Sequence, residues 1–177
     1  MTEHHQNEQE GQAGVAPMRN VCLGLGSNLG DRDANLRAAI GKLAEFLHVE
    51  RVSSVYETEP LLVEDQPLFH NLACVGQTSL DPFSLLRALK RIESDLGRVP
   101  GPRYGPRVID IDVLLLDDLV LTTPELIIPH PGMLERAFVL IPLAEIAPSQ
   151  RHPITGRTIE ELTSGLDASG VRRQGAL

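Results

Sequence analysis

Hydrophobic residues recur at two different spacings through the middle of the chain, and the two spacings predict strands and helices. Alternation with a period of two predicts strands at residues 19–25, 49–57, 69–77 and 108–116, with a shorter one at 119–121. Helical spacing appears in two sets of apolar residues, Leu36, Ile40, Leu43 and Leu47, and Leu85, Leu89, Ile92 and Leu96. Asp31 or Asp33 is suited to cap the first helix, and Asp81-Pro82 predicts the start of the second. A last helix is expected over residues 134–146.

The order of these elements is β-α-β-β-α-β, which predicts an α+β fold with a ferredoxin-like core. In such a core a mainly antiparallel sheet has helices packed on one face, and here a short extra strand and a C-terminal helix are added. The core is expected over residues 18–163. Residues 1–17 are polar and without periodicity, which predicts a disordered N-terminal tail, and residues 164–177 are expected to be weakly ordered.

Composition and charge narrow the classes of function. The formal net charge is -8, whereas a surface that binds nucleic acid through its phosphates needs an excess of Lys and Arg. The sequence has no apolar run long enough for a membrane helix and no basic-then-apolar N-terminus, so a cytoplasmic location is expected. Cys22 and Cys74 lie in apolar strand-like segments and are expected to be buried rather than to bind metal.

Two aspartates occupy the same face of the strongest predicted strand. Alternation in residues 108–116 puts Asp110 and Asp112 on one face and apolar side chains on the other. Residues two apart on a strand are separated by about 6.6 Å, so two carboxylates there repel by about 2.5 kcal/mol at an effective dielectric of about 20. A divalent cation offsets such repulsion, and carboxylates without nearby Cys or His favour Mg²⁺. The alternative is a pair of solvated acids on a half-exposed strand.

An Arg-rich loop leads into this strand. Residues 97–107 contain three Arg, three Gly and three Pro, and Arg side chains match phosphate oxygens bidentately. A basic loop before paired aspartates therefore favours a polyphosphate–Mg²⁺ site over a merely solvated loop. The earlier segment 24–30 contains Gly24, Gly26 and Gly30, but its spacing does not fit a dinucleotide-binding fingerprint. Its Gly-Ser-Asn turn is expected to anchor the first strand to the site.

Three further residues have side chains suited to a ligand. Phe69 and Asn71 fall on one face of the strand 69–77, where a flat heteroaromatic ring can stack on the phenyl group and bond to the amide. His130 is held between prolines, which suits a phosphate contact. Taken alone, Phe69 is typical of a core residue and His130 of a structural turn.

The segments described above resemble the 6-hydroxymethyl-7,8-dihydropterin pyrophosphokinase family when they are read together. The resemblance spans residues 19–160, and its motifs occur in the family's order. They are Gly26-Ser27-Asn28, Asp65-Gln66-Pro67, Asn71, Arg103-Tyr104-Gly105-Pro106-Arg107, Asp110-Ile111-Asp112, Pro129-His130-Pro131 and Arg136-Ala137-Phe138.

This resemblance implies a monomeric enzyme of folate biosynthesis that transfers pyrophosphate from ATP to the hydroxymethyl group of the reduced pterin, using two Mg²⁺ ions. It implies that Asp110 and Asp112 bind the metal and act in catalysis together with Arg98 and Arg107. The residues implied to contact ATP are Glu93, Arg98, Arg107, Ile111, His130 and Arg136. The residues implied to contact the pterin are Thr58, Pro60, Leu61, Phe69, Asn71, Tyr104 and Phe138.

Some positions depart from the family pattern. Tyr104 stands where well-known members have Trp, and Pro100-Gly101 stands where some have basic residues. Lys90 and Glu125 are not expected to make the family's usual ATP contacts. Two other interpretations remain: a non-catalytic ferredoxin-like ligand-binding module, and a nucleotide-dependent transferase acting on another hydroxymethyl heterocycle. The paired aspartates beside the Arg-rich loop favour catalysis, and Asn71 with the aromatic side chains favours a pterin.

Overall fold

The computed structural model describes residues 16–61, 65–101 and 105–177 and consists of one large antiparallel sheet, a small hairpin and four α-helices. The strands are β1 Arg19–Ser27, β2 His48–Val52, β3 Val55–Thr58, β4 Phe69–Thr78, β5 Asp110–Leu116, β6 Leu121–Thr122, β7 Ile127–Ile128 and β8 Val171–Gly175. The helices are α1 Arg32–Leu43, α2 Pro82–Asp95, α3 Ala137–Ile146 and α4 Ile159–Thr163. The sheet order is β5-β1-β4-β3-β8, β2 also pairs with β4, and β6 and β7 form the hairpin. The predicted α+β fold is confirmed.

The helices lie on both faces of the large sheet, not on one face as predicted. Alternate side chains of β1, such as Leu23 and Leu25, pack in a core with α1 and α2. Cys22, Ala73 and Val75 point the other way and pack in a second core with α3 and α4. The apolar segment 137–146 has no polar stripe and therefore buries most of its surface against the sheet.

Capping side chains start α1 and α2 as the sequence predicts. The Asp31 carboxylate accepts a hydrogen bond from the Ala34 amide at 3.0 Å. The Asp81 carboxylate accepts from the Phe83 and Ser84 amides at 3.0 and 3.1 Å, and Pro82 follows it at the first helical position. These bonds satisfy amides that have no partner within the helix, and each such cap stabilises a helix by about 1 kcal/mol.

Most predicted strands agree with the structure within two residues at each end, and the short strand expected over 119–121 is β6 at Leu121–Thr122. The second strand and the last helix differ in a more informative way. The strand expected over 49–57 is divided into β2 and β3, because Ser53 and Ser54 leave the β pattern and Ser54 bonds to the carboxylate of Glu145 on α3. The last helix begins at Ala137 rather than at 134, since a 3₁₀ turn over Met133–Glu135 precedes it.

The chain's C-terminal segment contains β8, which lies within the range 164–177 for which weak order is predicted from the sequence. β8 pairs with β3, with Arg173 opposite Tyr56 and Val171 opposite Thr58. β8 is an edge strand, held by backbone pairing and by an ion pair between Arg173 and Glu145 at 3.6 Å. Its sequence therefore does not need the alternation of apolar and polar residues that marks a buried strand. Most of the predicted N-terminal tail, residues 1–15, lies outside the described residues. Within the described part of the chain, every helix is too short or too polar to cross a lipid bilayer.

Both cysteines should resist thiol reagents in the folded protein. Cys22 and Cys74 are buried free thiols, and burial raises the pKa of each to about 12. The thiolate is the reactive form, so neither side chain should react with Ellman's reagent at about pH 8 unless the protein unfolds. Absorbance should show no released chromophore from native protein and two equivalents in guanidinium chloride. Rapid reaction of either thiol in the native protein would contradict the packing described here.

Candidate active site

A cavity of about 390 Å³ lies on the α3 face of the sheet, next to the first turn of α3. Its floor is formed by neighbouring positions of three strands, because Gly26 of β1 pairs with Asp110 of β5 on one side and with Asn71 of β4 on the other. Gly24 pairs in the same way with Asp112 and Ala73. The two glycines leave the centre of the floor without side chains, and the polar groups of the neighbouring strands face the open space.

At one end of the cavity, the Asp110 carboxylate is hydrogen-bonded to two arginines. Its carboxylate accepts from Nη1 of Arg98 at 2.7 Å and from Nη1 of Arg107 at 2.6 Å. Burial alone would raise the pKa of Asp110, but the charges of Arg107 and Arg98 outweigh it and hold the pKa below its usual value. Asp110 is therefore ionised, and it orients two guanidinium groups at the edge of the cavity.

Glu93 supports this arrangement from α2. Its side chain is only 2% exposed and accepts hydrogen bonds from the Ile111 amide at 2.7 Å and from Nζ of Lys90 at 2.9 Å. Arg98 also donates to Glu93. A buried carboxylate that accepts this many hydrogen bonds fixes the side chains that donate to it. Glu93 thus holds both Lys90 and Arg98 toward the cavity.

Asp112 differs from Asp110 in having no arginine partner. Its side chain is 40% exposed, and the only basic side-chain nitrogen within 4.0 Å of its carboxylate among the described residues is Nε2 of His130, at 3.8 Å. Limited hydration at the cavity floor and the charge of Asp110 raise the pKa of Asp112 to about 6. Near neutral pH this carboxylate is mostly ionised, although its surroundings disfavour the negative charge. A bound cation would stabilise that charge.

His130 is fixed by the turn that contains it. The Gly132 amide donates to Nδ1 of His130 at 3.2 Å, and the His130 amide donates to the Leu114 carbonyl at 3.0 Å. The neutral ring therefore carries its hydrogen on Nε2, the nitrogen that faces the cavity. Burial and the nearby charge of Arg136 lower the pKa of His130, so this ring acts as a neutral donor near pH 7.

The other end of the cavity is aromatic and amide-bearing. Asn71 is buried, and its Nδ2 donates to Oγ1 of Thr58 at 2.7 Å. Phe69 and Phe138 both border the same space, and the guanidinium of Arg136 lies 5.9 Å from the centre of the Phe138 ring. This end has flat apolar surfaces and an oriented amide, which suit the binding of a small heteroaromatic ring.

The structure brings most of the predicted site residues together. Those that line the cavity are Thr58, Leu61, Phe69, Asn71, Arg98, Arg107, Asp110, Asp112, His130, Arg136 and Phe138. Glu93, Ile111 and Pro60 are not among the lining residues. Glu93 lies behind Arg98, and Ile111 points into the opposite core while its amide is bonded to Glu93. Tyr104 lies outside the described residues.

Some cavity residues were not expected from the sequence. Lys90 lines the cavity although no ATP contact is expected of it, and its spacing of three residues from Glu93 on α2 is the signal that points to it. Gln66, Glu59 and Gly132 also line the cavity. A Cβ at position 132 would lie 2.8 Å from Nε of Arg136, so any larger residue there would displace the Arg136 side chain.

Comparison with known proteins decides the family. The family model of 7,8-dihydro-6-hydroxymethylpterin-pyrophosphokinase matches residues 22–148, a span that contains the whole cavity. The chain belongs to this family. The chain is 48% identical over 132 residues to a 2-amino-4-hydroxy-6-hydroxymethyldihydropteridine pyrophosphokinase of Bacillus subtilis, covering 73% of this chain and 79% of the relative.

Other relatives of this pyrophosphokinase-family chain include both shorter and much longer proteins. A pyrophosphokinase of the same name from Aquifex aeolicus is 44% identical over 144 residues, covering 81% of this chain and 90% of the relative. The folic acid synthesis protein FOL1 of Dictyostelium discoideum is 42% identical over 150 residues, covering 85% of this chain, but this chain spans only 23% of its length. The crystal structure of wild-type Plasmodium falciparum HPPK-DHPS with pterin and p-hydroxybenzoate has a TM-score of 0.68 at 18% identity, covering 86% of this chain and 42% of that one. The structural likeness establishes the shared fold.

Proposed function

We propose that this protein transfers pyrophosphate from ATP to the hydroxymethyl group of 6-hydroxymethyl-7,8-dihydropterin and releases AMP. The observation that carries the proposal is a single cavity with a cationic, carboxylate-bearing end and an aromatic, amide-bearing end. Asp110 and Asn71 both pair with Gly26, so they are two strands apart, about 10 Å. That separation suits a pterin and a phosphate chain that meet above the glycines.

The cationic end is the proposed site of the ATP phosphates. Lys90, Arg98, Arg107 and Arg136 all reach the cavity, and they outnumber the carboxylates of Asp110 and Asp112 there. Arginine forks bind phosphate oxygens through paired hydrogen bonds, and His130 adds a neutral donor. Since Arg98 and Arg107 are already held by Asp110, their positions are set before the nucleotide arrives.

Asp110 and Asp112 are the residues that would hold Mg²⁺. Among the described residues no group of three or more His, Cys, Asp or Glu is arranged to bind a metal by itself. Two carboxylates alone still fit Mg²⁺, which usually binds through one or two carboxylates plus water and substrate phosphates. Bound Mg²⁺, two ions in this proposal, would neutralise charge on the transferring phosphates.

The aromatic end is the proposed pterin site. Asn71 offers a donor and an acceptor to the edge of the ring, while Phe69 and Phe138 provide faces for stacking. Thr58 orients the Asn71 amide through the bond to its Nδ2, and Leu61 adds apolar surface. In this pose the hydroxymethyl group points toward the phosphates.

The reaction then depends on position and charge. The hydroxymethyl oxygen attacks the β-phosphorus, and its proton is released. The bond from that phosphorus to the oxygen of the α-phosphate breaks, and AMP leaves with that oxygen. Arg98 and Arg107 bind the phosphate oxygens, and the protein walls exclude water, which would compete as an acceptor. All cavity residues come from one chain, and we propose that the monomer is the active form.

An assay of both products tests this function. The purified protein is incubated with ATP, Mg²⁺ and the reduced hydroxymethylpterin, and AMP and the pterin product are quantified by chromatography and mass spectrometry. Equal amounts of AMP and pterin diphosphate are expected. Release of ADP, or an unmodified pterin, contradicts the proposal. Competition with other hydroxymethyl heterocycles should leave the pterin as the preferred acceptor.

Gly26 and Gly24 give a matched pair of substitutions on one strand face. A Cβ at Gly26 would lie 2.5 Å from Oδ1 of Asn71, so Gly26→Ala should force that amide out of position. A Cβ at Gly24 would make only an ordinary contact with the Leu114 side chain, at 3.5 Å. Calorimetry should show Gly26→Ala weakening pterin binding by about tenfold or more, the loss of a well-placed hydrogen bond in a buried site. Equal effects of the two substitutions would argue against the assigned role of Asn71.

A further inference from the structure

The sequence of helix α3 contains a single polar residue, Glu145, and its side chain faces the sheet. The other nine residues of α3 are apolar, and the contacts that bury them are non-directional. The Glu145 side chain is only 29% exposed. A carboxylate with this little exposure needs hydrogen-bond donors, and the segment that contains strand β3 supplies them.

Three hydrogen bonds join the Glu145 carboxylate to β3 and to the residue before it. Oε2 accepts from the Ser54 amide at 3.1 Å and from the Tyr56 hydroxyl at 2.7 Å, and Oε1 accepts from the Ser54 hydroxyl at 2.8 Å. Burial alone would raise the pKa of Glu145, but the bonds from Tyr56 and Ser54 outweigh it and hold the pKa below its usual value. The carboxylate is therefore ionised near neutral pH, and ionised acceptors form the stronger hydrogen bonds.

The register of β3 on β4 connects these bonds to the aromatic end of the cavity. Tyr56 pairs with Asn71, and Thr58 pairs with Phe69. Tyr56 is itself buried and is not among the residues that line the cavity. Glu145 is therefore bonded, from outside the cavity, to the strand that lies beside both proposed pterin contacts on β4.

Phe138 lies on the same face of α3 as Glu145. The two residues are seven positions apart, which is two helical turns and about 10 Å along the helix axis. Phe138 borders the cavity from α3, and Phe69 borders it from β4. The separation of the two rings therefore depends on how α3 lies on β3 and β4, and the hydrogen bonds of Glu145 fix that position.

We propose that Glu145 is a positioning residue that sets the spacing of the two aromatic rings between which the pterin binds, an inference that rests on the proposed function. Without this carboxylate, α3 keeps its apolar contacts but loses its directional bonds to β3, so Phe138 shifts relative to Phe69. The phosphate end should be less affected, because Lys90, Arg98 and Arg107 come from α2 and from the segment between α2 and β5.

Calorimetry on the full chain tests the proposal. The variants are Glu145→Ala, Phe138→Ala, the combination of these two, and the matched control Glu135→Ala. Glu135 is an exposed glutamate in the turn before α3, so its replacement removes the same charge from a position next to the cavity residue Arg136. The dissociation constants of the reduced hydroxymethylpterin and of a non-hydrolysable ATP analogue with Mg²⁺ are measured at a temperature at which circular dichroism shows each variant to be folded.

Glu145→Ala should raise the pterin dissociation constant by about tenfold and change that of the ATP analogue by less than about twofold. In the Phe138→Ala background the same replacement should change the pterin constant by less than about twofold, because Glu145 acts through Phe138. A residue that only stabilises the fold would have the same effect in both backgrounds. Glu145→Gln keeps the length and one acceptor oxygen, so it should restore much of the affinity.

Pterin binding by Glu145→Ala that is as tight as by Glu135→Ala overturns the proposal. Equal losses for both ligands, or a loss that persists undiminished in the Phe138→Ala background, contradict it as well. If Glu145→Ala does not fold, Tyr56→Phe decides, since it removes one hydrogen bond and keeps the ring. Tyr56→Phe should then raise the pterin constant by about threefold in the natural background and leave it unchanged in the Phe138→Ala background.

The natural protein separates this inference from the proposed function. If it binds the pterin and releases AMP while Glu145→Ala behaves as the control does, only the role of Glu145 is wrong. If the natural protein neither binds the pterin nor releases AMP, the proposed function fails as well.

Discussion

Replacing Asp112 with asparagine should lower kcat by about 100-fold to 1000-fold, the usual cost of removing one group that stabilises charge in a transition state. The same change should leave the pterin dissociation constant within about twofold, because Asp112 lies at the cationic end of the cavity and not beside Asn71. Steady-state kinetics with AMP detection gives the first quantity, and calorimetry with the pterin gives the second.

Substitution of Asp112 tests the metal-binding role more directly than substitution of Asp110, because it leaves the neighbouring side chains in place. Asp110 holds Arg98 and Arg107, so its loss would release two arginines. Asp112 has no such bonds, and its raised pKa shows that its charge costs folding free energy near neutral pH. Asp112→Asn should therefore leave the melting temperature unchanged or slightly higher.

Asp118→Asn is the matched control for this substitution. Asp118 is exposed in the turn after β5, and replacing it removes the same charge from a site outside the cavity. Kinetics of this control should equal those of the natural protein. Equal losses of turnover and pterin affinity in Asp112→Asn would mean that the side chain does not act on the phosphates.

Replacing Asn71 with alanine should raise the pterin dissociation constant by about tenfold to 100-fold, since a buried polar group of the ring then lacks its partner. Affinity for the ATP analogue should change little, because Asn71 is two strands away from Asp110. Separate titrations with each ligand measure the two effects.

Gln77→Ala is the control for the Asn71 substitution. Gln77 is an amide on the same face of β4, but it lies at the far end of that strand and bonds to Asn20 at 3.2 Å instead of facing the cavity. Its replacement should leave both affinities unchanged. If Asn71→Ala binds the pterin as tightly as Gln77→Ala does, the pterin site is elsewhere.

Local signals in the sequence account for the elements that were predicted well. The caps at Asp31 and Asp81 act within three residues, and the alternation around Asp110 and Asp112 specifies a strand directly. β8 could not be found in this way, since its polar residues are held by backbone pairing with β3, which leaves no periodic apolar pattern.

Features of the site that depend on tertiary packing could not be predicted from local sequence patterns. The role of Glu93 follows from the packing of α2 beside β5, which brings its carboxylate to the Ile111 amide and to Arg98. The need for glycine at position 26 follows from the register of β1 on β4, which puts Asn71 beside it. Sequence spacing supplies the residue types, and the register decides which of them meet.

The central claim is that Asp110 and Asp112 hold Mg²⁺ beneath the phosphates of ATP. A crystal structure of the protein with Mg²⁺, a non-hydrolysable ATP analogue and the pterin measures this directly. The account predicts metal density bonded to oxygens of both carboxylates and of the phosphates, at about 2.0–2.1 Å. A nucleotide bound in the cavity with both carboxylates free of metal would contradict it.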